Sequence, residues 1–375
     1  AYILKDRSSL RNLFAELNFD FADEPVNKEN WNDSEKEIVL ESKIVAKKND
    51  YRIYYLQTNT DSLKHWKSVA TKIIKENHGF CLVCSHNPSG FKWVFSSLSK
   101  DFSKSFTETR HVPIEVRPNI GVPNNFVDFL DKIRVGKDPT PISISTQISE
   151  AFDTFAIEIH NGLTVNIFEA LKTLSEGIIG DKSNKLSRNN ETLENVIRAP
   201  IFTLLYRIIF ILYAEDRGIF SVDNKIYQDE FSLKWIKEKW LLKSVNTKQL
   251  AEYDVEKRVK KLFRLIEIGS EELDYDKEEF FMRSYYGRIF DRKINHKLEG
   301  WNIPNSNFLE MLSLLTRTRD KKGNYFFLDY SALETRHLGS VYEHLLEFHL
   351  TVKNKKIAEL PNPQDRKLSG SYYTP

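Results

Sequence analysis

Two kinds of hydrophobic pattern divide the chain. In its first third, short runs rich in β-branched and aromatic residues alternate with polar positions, which is the pattern of half-buried strands. Such strands are predicted at residues 38–46, 51–58, 80–85 and 91–96. The polar turn 47–50 joins the first two strands and predicts a β-hairpin. Helices at 8–17 and 61–76, where serine or aspartate precedes apolar positions three and four apart, complete a predicted small α/β domain.

Beyond about residue 145 the apolar positions recur every three to four residues, which is the helical period. Prolines and glycines interrupt the pattern just before this point and leave one short helix at 126–133. Further helices are predicted at residues 148–161, 164–175, 193–217, 231–242, 246–268, 278–289, 307–316 and 338–350. We therefore predict an α+β protein, with an α/β domain at 1–145, a mainly helical domain at 146–360 and the start of another domain at 361–375.

The longest apolar run, residues 201–214, is too short to cross a bilayer and carries Arg207 at its middle. It predicts a buried helix. A buried guanidinium needs a carboxylate partner, and Glu215, Asp216 and Glu343 are the candidates. Because the sequence shows no secretory pattern and few cysteines, we expect a cytoplasmic protein with no membrane partner.

Composition narrows the class of protein. The 375 residues are 41% hydrophobic and 29% charged, so the chain has enough apolar surface for more than one core. The formal net charge is only +2, so any surface that binds a polyanion must be local. With Cys81 and Cys84 as the two cysteines, a disulfide framework is excluded. Their Cys-x-x-Cys spacing allows half of a zinc or redox site, but no second pair exists and buried thiols are expected.

Three segments in the second half of the chain resemble one enzyme family. Residues 366–375 read Arg-Lys-Leu-Ser-Gly-Ser-Tyr-Tyr-Thr-Pro, which resembles the segment that opens the methyltransferase domain of N6-adenine DNA methyltransferases. Residues 204–220, with Ala-Glu-Asp-Arg-Gly, and 338–347, Leu-Gly-Ser-Val-Tyr-Glu-His-Leu-Leu-Glu, resemble the helices that precede this segment. The resemblance is greatest to the fused restriction-modification enzymes of type IIG and spans about residues 148–375, with weaker similarity at 150–153.

The resemblance implies a cofactor and a partner. In that family the Tyr-Tyr-Thr-Pro segment lies against S-adenosylmethionine, a role that falls here on Gly370, Tyr372, Tyr373, Thr374 and Pro375. The family also needs a glycine-rich loop and an Asn-Pro-Pro-Tyr loop for a flipped adenine, and neither occurs in these residues. We therefore expect that methylation of double-stranded DNA requires methyltransferase and specificity domains in cis, following this region.

In type IIG relatives the N-terminal domain is often a nuclease in which an acid on one strand and Glu-x-Lys on the next bind Mg²⁺. Glu41 and Lys43 fit the second half of this pattern, with Asp20, Asp23 or Asp33 as upstream acids. However, in such nucleases a helix and a strand normally follow the Glu-x-Lys strand, and here they follow the strand at 52–58. The corresponding positions at the end of that strand are Gln57, Thr58 and Asn59, which lack the required charges.

If the strand at 52–58 is instead aligned with the Glu-x-Lys strand of such nucleases, Glu41 or Asp50 supplies the first acid and the site is degenerate. The candidate catalytic residues are thus Glu41, Lys43 and Asp50, with Glu41 as a Mg²⁺ ligand. An active nuclease, an inert nuclease-like domain and another α/β module all remain open.

Residues 41–118 carry about six more positive than negative charges, which favours DNA contact in the N-terminal domain. The candidate contacts lie along one predicted helix and are Lys64, Lys67, Lys72 and Lys75. The same lysines are also typical of a solvated helix face. The restriction-modification function therefore has two alternatives, a non-catalytic DNA-binding or positioning module and a helical scaffold for protein interactions.

Overall fold

The computed structural model describes residues 7–59, 63–76, 79–87, 90–98, 109–116, 124–136, 141–220, 222–237, 254–285, 287–319, 325–347, 349–353 and 356–359. The chain forms two compact units. The first unit comprises Ala1–His160 and Arg319–Glu334, and the second comprises Asn161–Thr318 and Thr335–Pro375. The class is α+β, as predicted.

A six-stranded sheet forms the centre of the first unit. Its strands are β1 (Asp20–Pro25), β2 (Val39–Lys48), β3 (Tyr51–Thr58), β4 (Gly79–Asn87), β5 (Gly90–Leu98) and β6 (Thr109–Val116), in that spatial order. Neighbouring strands are antiparallel except β3 and β4, which are parallel. The helices of this part are α1 (Arg7–Glu16), α2 (Asp33–Ile38), α3 (Leu63–Glu76), α4 (Asn124–Lys132) and α5 (Pro141–Gly180).

The predicted hairpin is β2–β3, and α3 makes the crossover that parallel strands require. Strand β6 was not predicted, because Pro113 lies inside it. Since β6 is an edge strand, the missing N–H of a proline can be tolerated there.

Each face of the sheet has its own core. On one face, Trp66, Val69 and Ile73 of α3 pack against apolar residues of β2–β5. The opposite face is aromatic, and Phe129 of α4 contacts Phe95 and Phe152 at centroid distances of 5.4 and 5.2 Å. Helices thus cover both faces of the sheet, which gives a three-layered arrangement.

Helix α5 is one helix of 40 residues, where the sequence pattern predicted two helices and a domain boundary near residue 145. The compact units divide after His160, inside α5. Phe152 and Phe155, early in α5, contact Phe129 and therefore belong to the aromatic core of the first unit. The functional division into a nuclease-like and a connector domain stays a prediction.

The second unit is mainly helical. Its helices are α6 (Asn190–Thr192), α7 (Arg198–Asp216), α8 (Lys225–Glu230), α9 (Leu233–Ile236), α10 (Asp254–Ile268), α11 (His296–Gly300), α12 (Asn305–Thr316) and α13 (Thr335–Glu347). A π-helical turn, Leu193–Ile197, joins α6 to α7. Four short strands follow α12 in the chain, namely β7 (Arg317–Arg319), β8 (Tyr325–Phe327), β9 (Leu350–Lys353) and β10 (Lys356–Glu359), of which β8 belongs to the first unit.

Helix α7 confirms the predicted buried helix. The stretch Asn190–Asp216 is long and apolar enough to cross a membrane, but 61% of its most apolar window is buried inside the protein. A mostly buried helix of this kind is what the core of a folded unit requires. Gly218, with φ +63°, takes the left-handed conformation after α7 that its position predicts.

The helix predicted at 278–289 is wrong. Ser270 donates from its backbone N–H to Met282 O at 2.8 Å, and Tyr285 donates to Ile266 O at 2.8 Å. These hydrogen bonds tie the segment to the end of α10 instead of closing helical turns. Phe280 and Met282 are buried while Phe281 between them is exposed, so the burial alternates as in an extended chain.

Candidate functional site

The hairpin places the two residues of the predicted Glu-x-Lys motif on one face of the sheet. Glu41 of β2 is paired with Gln57 of β3, and Lys43 is paired with Tyr55. Directly opposed residues of antiparallel strands share a face, so these four side chains lie on the face away from α3. Tyr55 donates from its hydroxyl to Gln57 Oε1 at 3.4 Å. Glu41 and Lys43 are thus brought together, with the amide Gln57 opposite Glu41 and Asp23, one of the expected upstream acids, beside Lys43.

The lysines of β2 face acidic residues of β1. Lys43 Nζ lies 3.3 Å from Asp23 Oδ1, and Lys47 Nζ lies 2.5 Å from Glu24 Oε1. Lys48 and Asp20 form a third pair at 3.6 Å. These exposed or half-exposed pairs are each worth little free energy, but they neutralise the positive charge of β2. Lys43 is therefore engaged by a carboxylate.

Asp50 does not belong to this site. It lies in the two-residue turn between Lys48 and Tyr51, which are paired with each other, and its side chain is exposed. Nine residues separate it from Glu41, which corresponds to about 25 Å along a strand with bulges. The two-residue turn fixes this register, so Asp50 cannot act together with Glu41 and Lys43.

The side chains around Glu41 do not fit the predicted Mg²⁺ site. A protein site for Mg²⁺ uses one or two carboxylates together with waters and phosphates, and the nuclease motif requires two acids. Within the described residues, no group of three or more His, Cys, Asp or Glu side chains is placed to hold a metal ion. The neighbour of Glu41 across the hairpin is the amide Gln57, and Asp23 binds Lys43. We therefore derive no catalytic step through Mg²⁺.

Lys72 of the basic helix α3 has a structural role. Its Nζ donates to Glu35 Oε2 at 2.7 Å and to Asn30 O at 3.1 Å. Glu35 is 4% exposed, accepts from Ser68 Oγ at 2.6 Å and closes a capping box with Asn32 at the start of α2. Burial acts to raise the pKa of Glu35, but the hydrogen bonds and the charge of Lys72 outweigh it and leave the pKa below its ordinary value.

Lys72 therefore fixes α2 to α3 rather than facing a phosphate. Of the other three predicted DNA contacts, Lys67 is half-buried, and the side chains of Lys64 and Lys75 lie outside the described residues. The predicted DNA interface on α3 thus stays a prediction, and the structure gives Lys72 another task.

The two cysteines are free and buried, as predicted. Burial raises the pKa of the Cys84 thiol to about 12, although a hydrogen bond with Tyr55 lowers it in part. Burial also raises the pKa of Cys81. Cys81 packs in the core beneath α3, while Cys84, three residues later on a strand, points to the opposite face. The pair therefore cannot form one half of a zinc site.

The predicted contacts to S-adenosylmethionine are Gly370, Tyr372, Tyr373, Thr374 and Pro375, and all of them lie outside the described residues. The two helices that precede them in the resemblance are described. In the first of them, α7, Arg207 and Glu215 have definite partners, which the sequence did not identify.

Arg207 is completely buried in α7, and its partner is Glu299 of α11. The Nη1 and Oε1 atoms are 3.6 Å apart, and Nε donates to the carbonyl oxygen of Ile289. The guanidinium also lies 4.9 Å from the ring of Phe263 and 5.5 Å from that of Phe290. The expectation that Glu215, Asp216 or Glu343 pairs with Arg207 is therefore wrong, because the loop before α11 reaches this arginine instead.

Glu215 caps the N-terminus of α9. Its carboxylate accepts from the backbone N–H groups of Leu233 and Lys234, both at 2.8 Å, and from Tyr227 Oη at 2.9 Å. Ser232 Oγ adds a contact at 3.3 Å. Burial raises the pKa of Glu215, and the hydrogen bonds counteract this only in part. The acid of the Ala-Glu-Asp-Arg-Gly segment thus organises the start of α9.

No family model, no curated protein and no solved structure matches the chain. Function must therefore be argued from the motifs of the sequence and from the contacts of the described residues.

Proposed function

We propose that this chain is the N-terminal region of a restriction-modification enzyme that transfers a methyl group from S-adenosylmethionine to adenine N6 in double-stranded DNA. In this proposal the first unit is a nuclease-like domain and the second is a helical connector that leads to the methyltransferase domain. The methyltransferase and specificity domains act in cis, and the enzyme is cytoplasmic.

One observation of the structure carries the nuclease-like part. The hairpin β2–β3 continues through α3 to β4, which is parallel to β3, so a helix and a strand follow β3. In the restriction-endonuclease fold a helix and then a strand follow the strand that carries Glu-x-Lys. Strand β3 takes that position here, and its Gln57 is paired with Glu41 of β2. The agreement supports the restriction-endonuclease-like fold as a proposal.

The methyltransferase part is supported by the three sequence segments and their order. Tyr372 and Tyr373 would offer aromatic faces to S-adenosylmethionine, and Gly370 would allow close approach of the backbone. When bound, the cofactor supplies the methyl group. In the described part of the connector, two residues of the 204–220 segment hold neighbouring elements in place. Glu215 binds the start of α9, and Arg207 binds the loop before α11.

The methyltransferase part is tested on the protein with its natural continuation after Pro375. That continuation is expected to contain a glycine-rich loop and an Asn-Pro-Pro-Tyr loop. Incubation with duplex DNA and labelled S-adenosylmethionine should give N6-methyladenine, and Tyr373→Ala should reduce the rate. A continuation without these loops, or one that does not methylate adenine, contradicts the proposal.

A second function, DNA positioning without cleavage, is favoured by the contacts of Lys43 and Glu41. Lys43 is bound by Asp23, and the residue opposite Glu41 is an amide. The two functions are distinguished by incubating plasmid DNA with the protein and either Mg²⁺ or Mn²⁺. Cleavage that disappears in Glu41→Ala/Lys43→Ala, and persists in the exposed control Glu37→Ala, indicates a nuclease. Salt-sensitive DNA binding without cleavage indicates the positioning module.

A further inference from the structure

Residues 287–297, which we call the basic loop, present an excess of positive charge in the second unit. Arg288, Lys293 and Lys297 are exposed. In the part of the chain that the structure describes, these three side chains take part in no ion pair or hydrogen bond. This differs from the lysines of β2, each of which faces a carboxylate of β1.

The acids near these cations are used inside the protein. Asp291 Oδ1 accepts from the backbone N–H of Lys293 at 2.8 Å and of Ile294 at 3.3 Å. Glu299, just after the loop, pairs with the buried Arg207. Glu299 is thus used by Arg207, while Asp291 keeps its negative charge and offsets one of the three exposed cations.

Two further arginines share a single carboxylate beside the loop. Glu267 of α10 lies 3.1 Å from Arg264 Nη1 and 2.9 Å from Arg292 Nε. Glu267 also accepts from the backbone N–H of Arg292 at 3.1 Å. When Asp291 and Glu267 are counted against the five cations Arg264, Arg288, Arg292, Lys293 and Lys297, three positive charges remain.

The backbone of the basic loop is held in place. Asn295 Nδ2 donates to the carbonyl oxygens of Arg288 at 3.1 Å and Asp291 at 2.8 Å. Phe290 is buried and contacts Phe210 and Phe263. A fixed backbone reduces the conformational entropy that is lost when a charged ligand is bound.

Arg207 links this loop to α7. Its Nε donates to Ile289 O, its guanidinium lies over the ring of Phe290, and its charge is paired with Glu299. It therefore contacts the loop near its beginning and also the helix that follows it. Arg207 is buried and cannot touch a ligand, so its role towards the loop is that of a positioning residue.

We propose that the basic loop binds the sugar-phosphate backbone of duplex DNA. The choice of DNA as the polyanion rests on the proposed function. Exposed acidic residues precede the loop at 271–279, and the whole chain carries a net charge of only +2, so the attraction is confined to the loop. Phosphate contacts of this kind orient a protein on DNA without reading its sequence.

The test measures binding of the full chain to a fluorescein-labelled 20-base-pair duplex by anisotropy over a range of salt concentrations. The variant is Arg288→Glu/Lys293→Glu/Lys297→Glu. The control, Lys182→Glu/Lys185→Glu/Lys225→Glu, makes the same charge change at exposed lysines of the same unit. Circular dichroism and thermal unfolding verify that both variants are folded.

We expect the basic-loop variant to bind at least about tenfold more weakly at low salt, and the control to change binding less than about threefold. Each lost phosphate contact lowers the slope of log K against log salt by about 0.9, so the slope should fall by roughly two to three. Equal affinities of the variant and the native protein would overturn the proposal.

A substitution with the opposite expected sign makes the test stricter. Glu267→Gln removes the carboxylate shared by Arg264 and Arg292 while it keeps an oxygen for the backbone N–H of Arg292. DNA binding should become about two- to tenfold tighter at low salt. The exposed control Glu310→Gln, which changes the net charge equally, should have a smaller effect. Equal effects of the two variants would indicate net charge rather than the loop, and would contradict the proposal.

Polyglutamate, used as a competitor, distinguishes a protein partner from DNA. If polyglutamate binds the loop and the duplex does not, the loop is a protein-binding surface and the proposal fails. The proposed function can fail while the loop proposal stands. This is the result if DNA binding depends on the loop but the protein with its natural continuation does not methylate adenine. Methylation together with native DNA affinity in the loop variant would refute the loop alone.

Discussion

Arg207 and Glu299 form an ion pair whose two members are unequally buried. The side chain of Arg207 is inaccessible to solvent, whereas that of Glu299 is 27% exposed. Burial lowers the pKa of Arg207, and the charge of Glu299 opposes this shift. The guanidinium therefore depends on its partner more than the carboxylate does, since Glu299 retains contact with water.

This inequality predicts different costs for the two single substitutions. Glu299→Gln leaves a buried charge without its partner and should lower the free energy of unfolding by about 3 kcal/mol. Arg207→Met leaves a carboxylate that can be hydrated and places an apolar side chain beside Phe263 and Phe290, so its cost should be smaller, about 1–2 kcal/mol. Urea unfolding at pH 7 measures both values.

The double variant Arg207→Met/Glu299→Gln provides the control. If the charge left by Glu299→Gln causes its destabilisation, then removing that charge should recover most of the lost stability. Additive costs in the double variant would show that the two residues do not form a coupled pair.

Glu35 predicts a loss of stability at acidic pH. Its pKa in the folded protein lies below the ordinary value of 4.5, because the hydrogen bonds and the charge of Lys72 outweigh the effect of burial. The stability that it contributes is therefore present above pH 4.5 and is lost as the pH falls through the folded pKa. Glu35→Gln should cost about 2 kcal/mol at pH 7, and this cost should shrink below pH 4.5.

Urea unfolding of the native protein and of Glu35→Gln between pH 3 and pH 7 measures the effect. The exposed pair Asp33–Lys36 in the same helix supplies a matched control, since Asp33→Asn should change stability by less than about 0.5 kcal/mol. A cost for Glu35→Gln that is independent of pH would refute the role given to the charge.

Local patterns predicted the part of the site that depends on strand geometry. The two-residue period of a strand places Glu41 and Lys43 on one face, and the polar turn before Tyr51 fixes the hairpin. Asp23 was one of three acids expected near Glu41 and Lys43, but the sequence could not select it, because it lies in β1, whose sequence Asp-Phe-Ala-Asp-Glu-Pro has little strand propensity. This strand forms through its pairing with β2, which is a tertiary effect.

The same distinction holds for Arg207. Its burial follows from the apolar run around it, but the choice of Glu299, 92 residues later in the chain, depends on how the loop before α11 packs. The apolar residues of 278–289 fit a helical period, yet Phe280 and Met282 are buried along an extended segment. Periodicity alone could not identify the hydrogen bonds between Ser270 and Met282 that select this conformation.

The two cysteines should be unreactive in the folded protein. A thiol reacts as the thiolate, and burial raises the pKa of Cys84 to about 12 and raises that of Cys81 as well. Iodoacetamide at pH 8 should therefore label neither cysteine of the native protein within an hour, and should label both after unfolding in urea. Mass spectrometry measures the labelling, and rapid modification of the native protein would show that these strands open to solvent.

Glu215 predicts a dependence on pH opposite to that of Glu35. Its carboxyl group accepts a backbone N–H on each oxygen, from Leu233 and Lys234. Both oxygens keep an acceptor lone pair when the group is protonated, whereas a glutamine turns an NH2 group, which only donates, towards one of these N–H groups. Glu215→Gln should therefore lower the free energy of unfolding by about 2 kcal/mol, and hydrogen exchange should increase in α9.

Because burial raises the pKa of Glu215 above its ordinary value of 4.5, the stability linked to its protonation is fully present below pH 4.5 and is lost as the pH rises through the folded pKa. The cost of Glu215→Gln should thus be greatest in acid and decrease towards neutral pH, whereas that of Glu35→Gln increases over the same range. Urea unfolding of both variants, with the exposed Glu310→Gln as control, measures the two trends. Parallel trends would contradict the assigned environments, because both variants remove the same chemical group and differ only in what surrounds it.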